Sequence, residues 1–134
     1  MDEYANAAKR HLSDAELLFA QLPQRLGNAS HLFGISAECS LKGMAKAVEP
    51  NVSFSGAKGH IPKLFIELIN VAPAIGSNPD LVAKISAIAP LFASWEINQR
   101  YADESSFTGA TAVLEKTGAN QAYLLMSNYL QGLV

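Results

Sequence analysis

Residues 30–50 read SHLFGISAECSLKGMAKAVEP, and this stretch decides the fold class. Its apolar side chains recur at steps of three and four residues, which places them on one face of an amphipathic helix. That face carries Phe33, Ala37, Leu41, Met44 and Val48. We expect the helix to open near Ser30 and to stop at Pro50, because the residue before a proline is disfavoured in helical backbone.

The same helical period extends to both sides of this stretch. Upstream, residues 4–22 form an apolar stripe that predicts a first helix ending at Pro23. Downstream, the pattern predicts a third helix with Pro62 in its first turn. A fourth helix is predicted to open where Asn78 caps it and Pro79 takes the first helical position.

The end of the chain has the spacing of a long, packed helix that begins after Thr108. Apolar residues recur there every seven positions at Ala112, Ala119, Met126 and Leu133. This spacing suits packing along a neighbouring helix. Pro90 either kinks the fourth helix or separates it from a new turn. The sequence therefore predicts an all-α fold, an up-and-down bundle of four to five helices that forms a single domain over residues 1–134.

The composition supports one core and little exposed charge. The chain has 134 residues, of which 49% are apolar and 16% charged, with a formal net charge of −2. So little charge favours a homodimer, and the acidic balance argues against binding nucleic acid through bulk charge. No run approaches the roughly 18 apolar residues of a membrane span, and the polar opening residues do not resemble a secretory signal. We expect a cytoplasmic protein.

Two polar groupings lie in the middle of the chain. Glu38 and Lys42 are one helical turn apart in the order that suits an ion pair, either on a solvated face or lining a groove or dimer cleft. Lys58 and His60 flank a glycine ahead of the third helix. Helix-opening amides with a nearby cation can hold a phosphate, although His60 could simply start the helix.

A third grouping surrounds Trp95, which is predicted to be a core residue. Arg100 and Tyr101 follow it, with Asp103 and Glu104 close behind. An arginine in such a setting either pairs with a neighbouring carboxylate or clamps a phosphate. The sequence does not decide between these two roles for Arg100.

The motifs of several enzyme classes are absent from the sequence. There is no glycine-rich phosphate loop, no Gly-x-Ser-x-Gly elbow and no Glu-x-x-His pair. A single cysteine, Cys39, and three well-separated histidines argue against a zinc site. We therefore predict no metal, no cofactor and no assigned catalytic residue.

Four features together resemble the HEPN family, the small helical domains of higher eukaryotes and prokaryotes that are linked to nucleotide binding. The first helix, AAKRHLSDAELL over residues 7–18, is similar to the family's opening helix. Ala37-Glu38 followed by Leu41-Lys42 resembles its central helix, and Gly59-His60 precedes the third helix at about the expected distance. Arg100-Tyr101 stands where the family often has an arginine.

The resemblance implies either of two functions. Many HEPN proteins are ribonucleases in which four to six residues separate the arginine from a histidine, but Ser105, Ser106 and Phe107 stand at those positions after Arg100. Serine and phenylalanine cannot replace histidine as a general acid or base near neutral pH. The resemblance thus favours a non-catalytic, nucleotide- or RNA-associated binding module. Such modules form homodimers and accompany a nucleotidyltransferase or an antitoxin. A structural bundle without a ligand and a divergent ribonuclease are the alternatives.

Overall fold

The computed structural model of the chain describes residues 2–133, and all the regular secondary structure in this range is helical. The six α-helices are α1 (Asp2–Ala20), α2 (Leu26–Val48), α3 (Lys63–Val71), α4 (Pro73–Gly76), α5 (Pro79–Ile88) and α6 (Gly109–Leu130). Four short 3-10 helices span Gly56–Gly59, Ala89–Phe92, Ile97–Tyr101 and Glu104–Ser106. The predicted all-α bundle is confirmed. One of its six helices, α4, is a single turn, which accounts for the number above five.

The central element is α2, which packs against α1 on one side and α6 on the other. Near one end of α2, the backbone N–H of Arg25 donates to the carbonyl of Leu18 at 3.3 Å. Farther along, the hydroxyl of Ser36 donates to the carbonyl of Ala8 at 2.7 Å. Residue numbers rise on α2 as they fall on α1, so the two helices are antiparallel.

The last helix runs in the same direction as α2. Ser30 hydrogen-bonds to Glu115, and Gly43 lies against Met126, so residue numbers rise together on the two helices. The segment from α3 to α5 therefore carries the chain back along the bundle before α6 begins. This order of directions is the predicted up-and-down arrangement.

The predicted apolar face of α2 is buried. Phe33, Ala37, Leu41 and Met44 are all 0% exposed. The stripes of the outer helices are shorter than predicted, because Leu22 lies beyond the end of α1 and Leu133 beyond the end of α6, and both are exposed. Within residues 2–133, no helix has both the length and the apolarity that a membrane crossing requires.

The start of α2 differs from the prediction. The helix begins at Leu26 rather than near Ser30, because a distant residue supplies the cap. The Glu104 carboxylate accepts the backbone N–H of Gly27 at 3.1 and 3.2 Å from its two oxygens. A carboxylate at this end also complements the helix dipole. A Cβ on Gly27 would lie 2.7 Å from Glu104 Oε1, so a larger residue at this position would displace the carboxylate.

The helix starts and breaks predicted from Asn78 and the prolines are partly correct. Asn78 does cap α5, where its side chain accepts the backbone N–H of Leu81 at 3.1 Å. Pro62 is not in the first turn of α3, because that helix begins one residue later, at Lys63. At Pro90 the chain does not break away. Backbone of helical conformation continues from α5 into the 3-10 helix Ala89–Phe92, which carries the chain on toward Trp95.

We predict that Gly34→Ala destabilises the fold. The Trp95 indole packs directly on Gly34 of α2, and an added Cβ would overlap the indole ring. Overpacking of this kind costs about 1–3 kcal/mol, which thermal and chemical denaturation would measure. Gly109→Ala is the control, since nothing lies within 4 Å of its added Cβ and alanine suits a helix better than glycine. Equal stability of the two variants would contradict the prediction.

Candidate functional site

A buried carboxyl group stands at the centre of the candidate site. Glu115 lies on the inner face of α6 and is 1% exposed. The hydroxyl of Ser30 on α2 donates to Glu115 Oε1 at 2.5 Å. Gln99, in the 3-10 helix Ile97–Tyr101, donates from its amide Nε2 to Ser30 Oγ at 2.8 Å. Three separate elements thus contribute to one polar chain.

The direction of these hydrogen bonds is fixed from the Gln99 end. The backbone N–H of Glu96 donates to Gln99 Oε1 at 3.2 Å, so the amide nitrogen of Gln99 must face Ser30. Because Ser30 Oγ accepts this N–H, its own hydroxyl proton is directed to Glu115. The Trp95 indole N–H also donates to the backbone carbonyl of Ser30, at 2.9 Å.

This polar chain forms part of the wall of a cavity of about 510 Å³. The cavity lies between α2, α6 and the segment that joins Trp95 to α6. Its size is within the range of small-molecule sites. Tyr101 lines it with a side chain that is 76% exposed. The Arg100 guanidinium carbon lies 4.7 Å from the centroid of the Tyr101 ring, so a cation lies against an aromatic ring of the cavity lining.

Burial raises the pKa of Glu115 to about 7, and the Ser30 hydrogen bond opposes part of this rise. The physical cause is that a carboxylate loses its hydration on transfer into the protein interior. The carboxyl group is therefore close to half ionised at neutral pH. Ionisable groups with such shifted pKa values in a cavity are candidates for functional residues.

Of the residues predicted from the sequence, Tyr101 lines this cavity, and Arg100 lies against the Tyr101 ring without lining the cavity itself. The predicted alternative, in which Arg100 pairs with Asp103 or Glu104, is wrong. Arg100 donates to the backbone carbonyl of Ile97 at 3.1 Å, and no ion pair joins it to a carboxylate among the described residues. Glu104 instead holds the start of α2.

Glu38 lies in a second polar cluster. It is 2% exposed, and its carboxylate accepts the backbone N–H of Ile61 at 2.9 Å and lies 3.1 Å from His60 Nδ1. The predicted ion pair with Lys42 on a solvated face is therefore wrong, because both carboxylate oxygens are engaged by the loop before α3. Lys42 Nζ instead lies 5.9 Å from the centroid of the Phe54 ring.

The predicted phosphate site at residues 58–60 is not assembled. Lys58 is exposed on the 3-10 helix Gly56–Gly59, whereas His60 turns to Glu38. Glu38 is eight residues beyond Ser30, which is about 12 Å along α2. Within one chain, the cluster of Glu38, Lys42 and His60 is thus separate from the cavity with Arg100.

A histidine does lie near Arg100, although not where the ribonuclease motif has it. His31 stacks on Trp95 with ring centroids 6.1 Å apart. Burial, and then the charges of Arg100 and His11, lower the pKa of His31. Its Nδ1 is buried without a hydrogen-bond partner in the part of the chain that is described. Across residues 2–133, no three side chains of the metal-ligating types cluster together.

The sequence did not predict Ser30, Gln99 and Glu115 as site residues. One signal was available for Glu115, which interrupts the apolar stripe between Ala112 and Ala119. A carboxylate in such a position is either paired or functional. Ser30 and Gln99 gave no comparable signal.

Comparison with protein-family models, with curated proteins and with solved structures finds no match for this chain. The likeness to the HEPN family, and every function that it implies, therefore stays a prediction.

We predict that ionisation of Glu115 lowers the stability of the fold as the pH rises. Its pKa is about 7 in the folded chain and near 4.5 when unfolded, so its contribution is complete below 4.5 and is lost as the pH rises through 7. The loss is at most about 3.5 kcal/mol, since one pKa unit corresponds to about 1.4 kcal/mol. Glu115→Gln keeps an acceptor for Ser30 and removes this loss.

Chemical denaturation of the wild type and Glu115→Gln at pH 5 and pH 8 measures the difference. The variant should lose less unfolding free energy between pH 5 and pH 8 than the wild type does. Some loss should remain, because burial also raises the pKa of Glu38. Identical losses of unfolding free energy in the two proteins would contradict the assignment.

Proposed function

We propose that the chain is a nucleotide- or RNA-associated binding module, and that a nucleotide occupies the cavity beside Glu115. The observation that carries the proposal is the combination of groups at that cavity. Hydrogen-bonding side chains with a fixed orientation line the cavity together with an exposed tyrosine, and an arginine lies against the ring of that tyrosine. Proteins commonly bind unpaired bases by stacking them on aromatic rings and by hydrogen-bonding to their edges.

The charges suggest how a nucleotide would lie. Glu96 and Glu115 line the cavity and would repel a phosphate group. Arg100 lies beside Tyr101 and outside the cavity lining, and its guanidinium is suited to phosphate. We therefore expect the base to enter the cavity beside Tyr101 and the phosphate to remain at the mouth.

We predict that nucleoside monophosphates bind and that Tyr101→Leu weakens the binding about tenfold, because stacking contributes about 1–3 kcal/mol per base. Tyr101→Phe keeps the ring and should bind as the wild type does. Arg100→Ala should also weaken binding about tenfold, through loss of a charge-assisted contact. Isothermal titration calorimetry measures each affinity.

Lys9→Ala is the charge-matched control for Arg100→Ala, since Lys9 is exposed on α1 away from the cavity. Absence of binding by the wild type would favour the structural bundle without a ligand. Binding that is unchanged by substitution of Tyr101 and of Arg100 would mean that the nucleotide binds elsewhere.

We also propose that the chain forms a homodimer in the cytoplasm through the outer face of α6. This helix exposes Val113, Leu114 and Leu124 in addition to burying its inner face. A helix that is apolar on both faces is typical of one that is covered on both. A mainly apolar groove of about 290 Å³ between α5 and α6 adjoins Leu124. A second copy of α6 is the proposed occupant, as in a two-fold symmetric interface.

We predict a mass of twice 14.3 kDa for the purified chain by light scattering after size exclusion. Leu124→Glu should convert the dimer to the monomer, because it places a charge in the apolar interface. Ile66→Glu on α3 is the control, since Ile66 is similarly exposed but on another helix. A monomeric wild type at high micromolar concentration would contradict the proposal.

A partner such as a nucleotidyltransferase or an antitoxin, and RNA cleavage by a divergent mechanism, remain predictions of the family resemblance alone.

A further inference from the structure

One oxygen of the buried carboxyl group is left for a ligand. Glu115 Oε1 accepts the hydroxyl of Ser30, whereas Oε2 has no hydrogen-bond partner among residues 2–133. Glu115 also lines the cavity. Oε2 is also not among the fully buried unpartnered atoms, so it is the carboxyl oxygen that a ligand in the cavity can reach.

The hydrogen-bond chain decides where a proton on this carboxyl group resides. Gln99 and then Ser30 donate in sequence, so Oε1 of Glu115 is always an acceptor. A proton on the carboxyl group therefore sits on Oε2. The same atom is an acceptor when the group is ionised and a donor when the group is protonated.

We propose that Glu115 Oε2 selects the base of the bound nucleotide, taking guanine when the carboxyl group is ionised and adenine when it is protonated. This inference rests on the proposed function and names the ligand class of the same site. Guanine offers adjacent N–H donors on its Watson–Crick edge, which suit a carboxylate. Adenine offers a ring nitrogen acceptor beside an amino donor, which suits a protonated carboxyl group.

The change of state falls in an accessible pH range, because burial raises the pKa of Glu115 to about 7. The other charged groups nearby are engaged elsewhere. Glu96 accepts the backbone N–H of Gln99, and Arg100 lies over Tyr101. His31 next to Ser30 stacks on Trp95, and Lys116 next to Glu115 lies 5.4 Å from the centroid of the Phe19 ring.

The test is titration calorimetry with guanosine and adenosine 5′-monophosphate at pH 6 and pH 8.5. The ratio of the two affinities is the readout, since the titration of the phosphate group is common to both ligands and cancels. We expect guanosine monophosphate to bind about tenfold tighter at pH 8.5, in line with about 1–3 kcal/mol for a well-matched base contact. At pH 6 the preference should shift to adenosine monophosphate.

Glu115→Gln separates the mechanism from a general pH effect. Its amide oxygen would accept from Ser30, which leaves the NH₂ group in the place of Oε2 as a permanent donor. The variant should prefer adenosine monophosphate at both pH values. Glu96→Gln is the matched control, because it removes the other carboxylate of the cavity and should keep the pH-dependent change of preference.

Ser30→Ala supplies a second variant. The Ser30 hydrogen bond lowers the pKa of Glu115, so its removal should move the midpoint of the change in preference to higher pH. Thermal melting confirms that each variant is folded.

The outcomes separate this inference from the proposed function. Nucleotide binding that depends on Tyr101 but shows the same base preference at both pH values would overturn the inference alone. A Glu115→Gln variant that still changes preference with pH would do the same. Failure of every nucleotide to bind the wild type would overturn the proposed function and the inference together.

Discussion

The hydrogen bond between Ser30 and Glu115 is the interaction on which the rest of the site depends. A carboxyl group enclosed between two helices must find a partner or stay protonated, because an isolated buried charge is very costly. Ser30 meets this need and also receives the N–H groups of Trp95 and Gln99. One small residue on α2 thereby sets the position of α6, of the core tryptophan and of the segment that encloses the cavity.

The buried face of α2 carries two polar clusters that act in the same way at different levels. Ser30 connects α2 to α6, while Glu38, two turns farther on, connects it to the loop before α3. Apolar packing alone tolerates small shifts of one helix along another. A buried hydrogen bond does not, since a shift leaves its donor or acceptor unpaired. We therefore assign to these two clusters the fixed register of the bundle around its central helix.

The sequence predicted what depends on near neighbours and missed what depends on distant ones. The apolar stripe of α2 and the Asn78 cap of α5 follow local rules, and both are confirmed. The predicted start of α2 was wrong because its cap, Glu104, is 77 residues away from Gly27 in the sequence. The Glu38–Lys42 pair obeys a local rule that the loop at His60 and Ile61 overrides. Glu115 pairs with a residue 85 positions away, so no spacing in the sequence could reveal the partnership.

The outer wall of the cavity has no buried residue from position 96 to position 110. Among residues 2–133, its side-chain hydrogen bonds to α2 are those of Gln99 to Ser30 and of Glu104 to Gly27. A segment with so few buried contacts opens locally at a small fraction of the cost of global unfolding. Its amide hydrogens should therefore exchange with solvent while those of α2 stay protected. Any molecule that bridges this wall to Glu115 would hold the segment closed. Binding in the cavity would therefore increase the local order of residues 96–110.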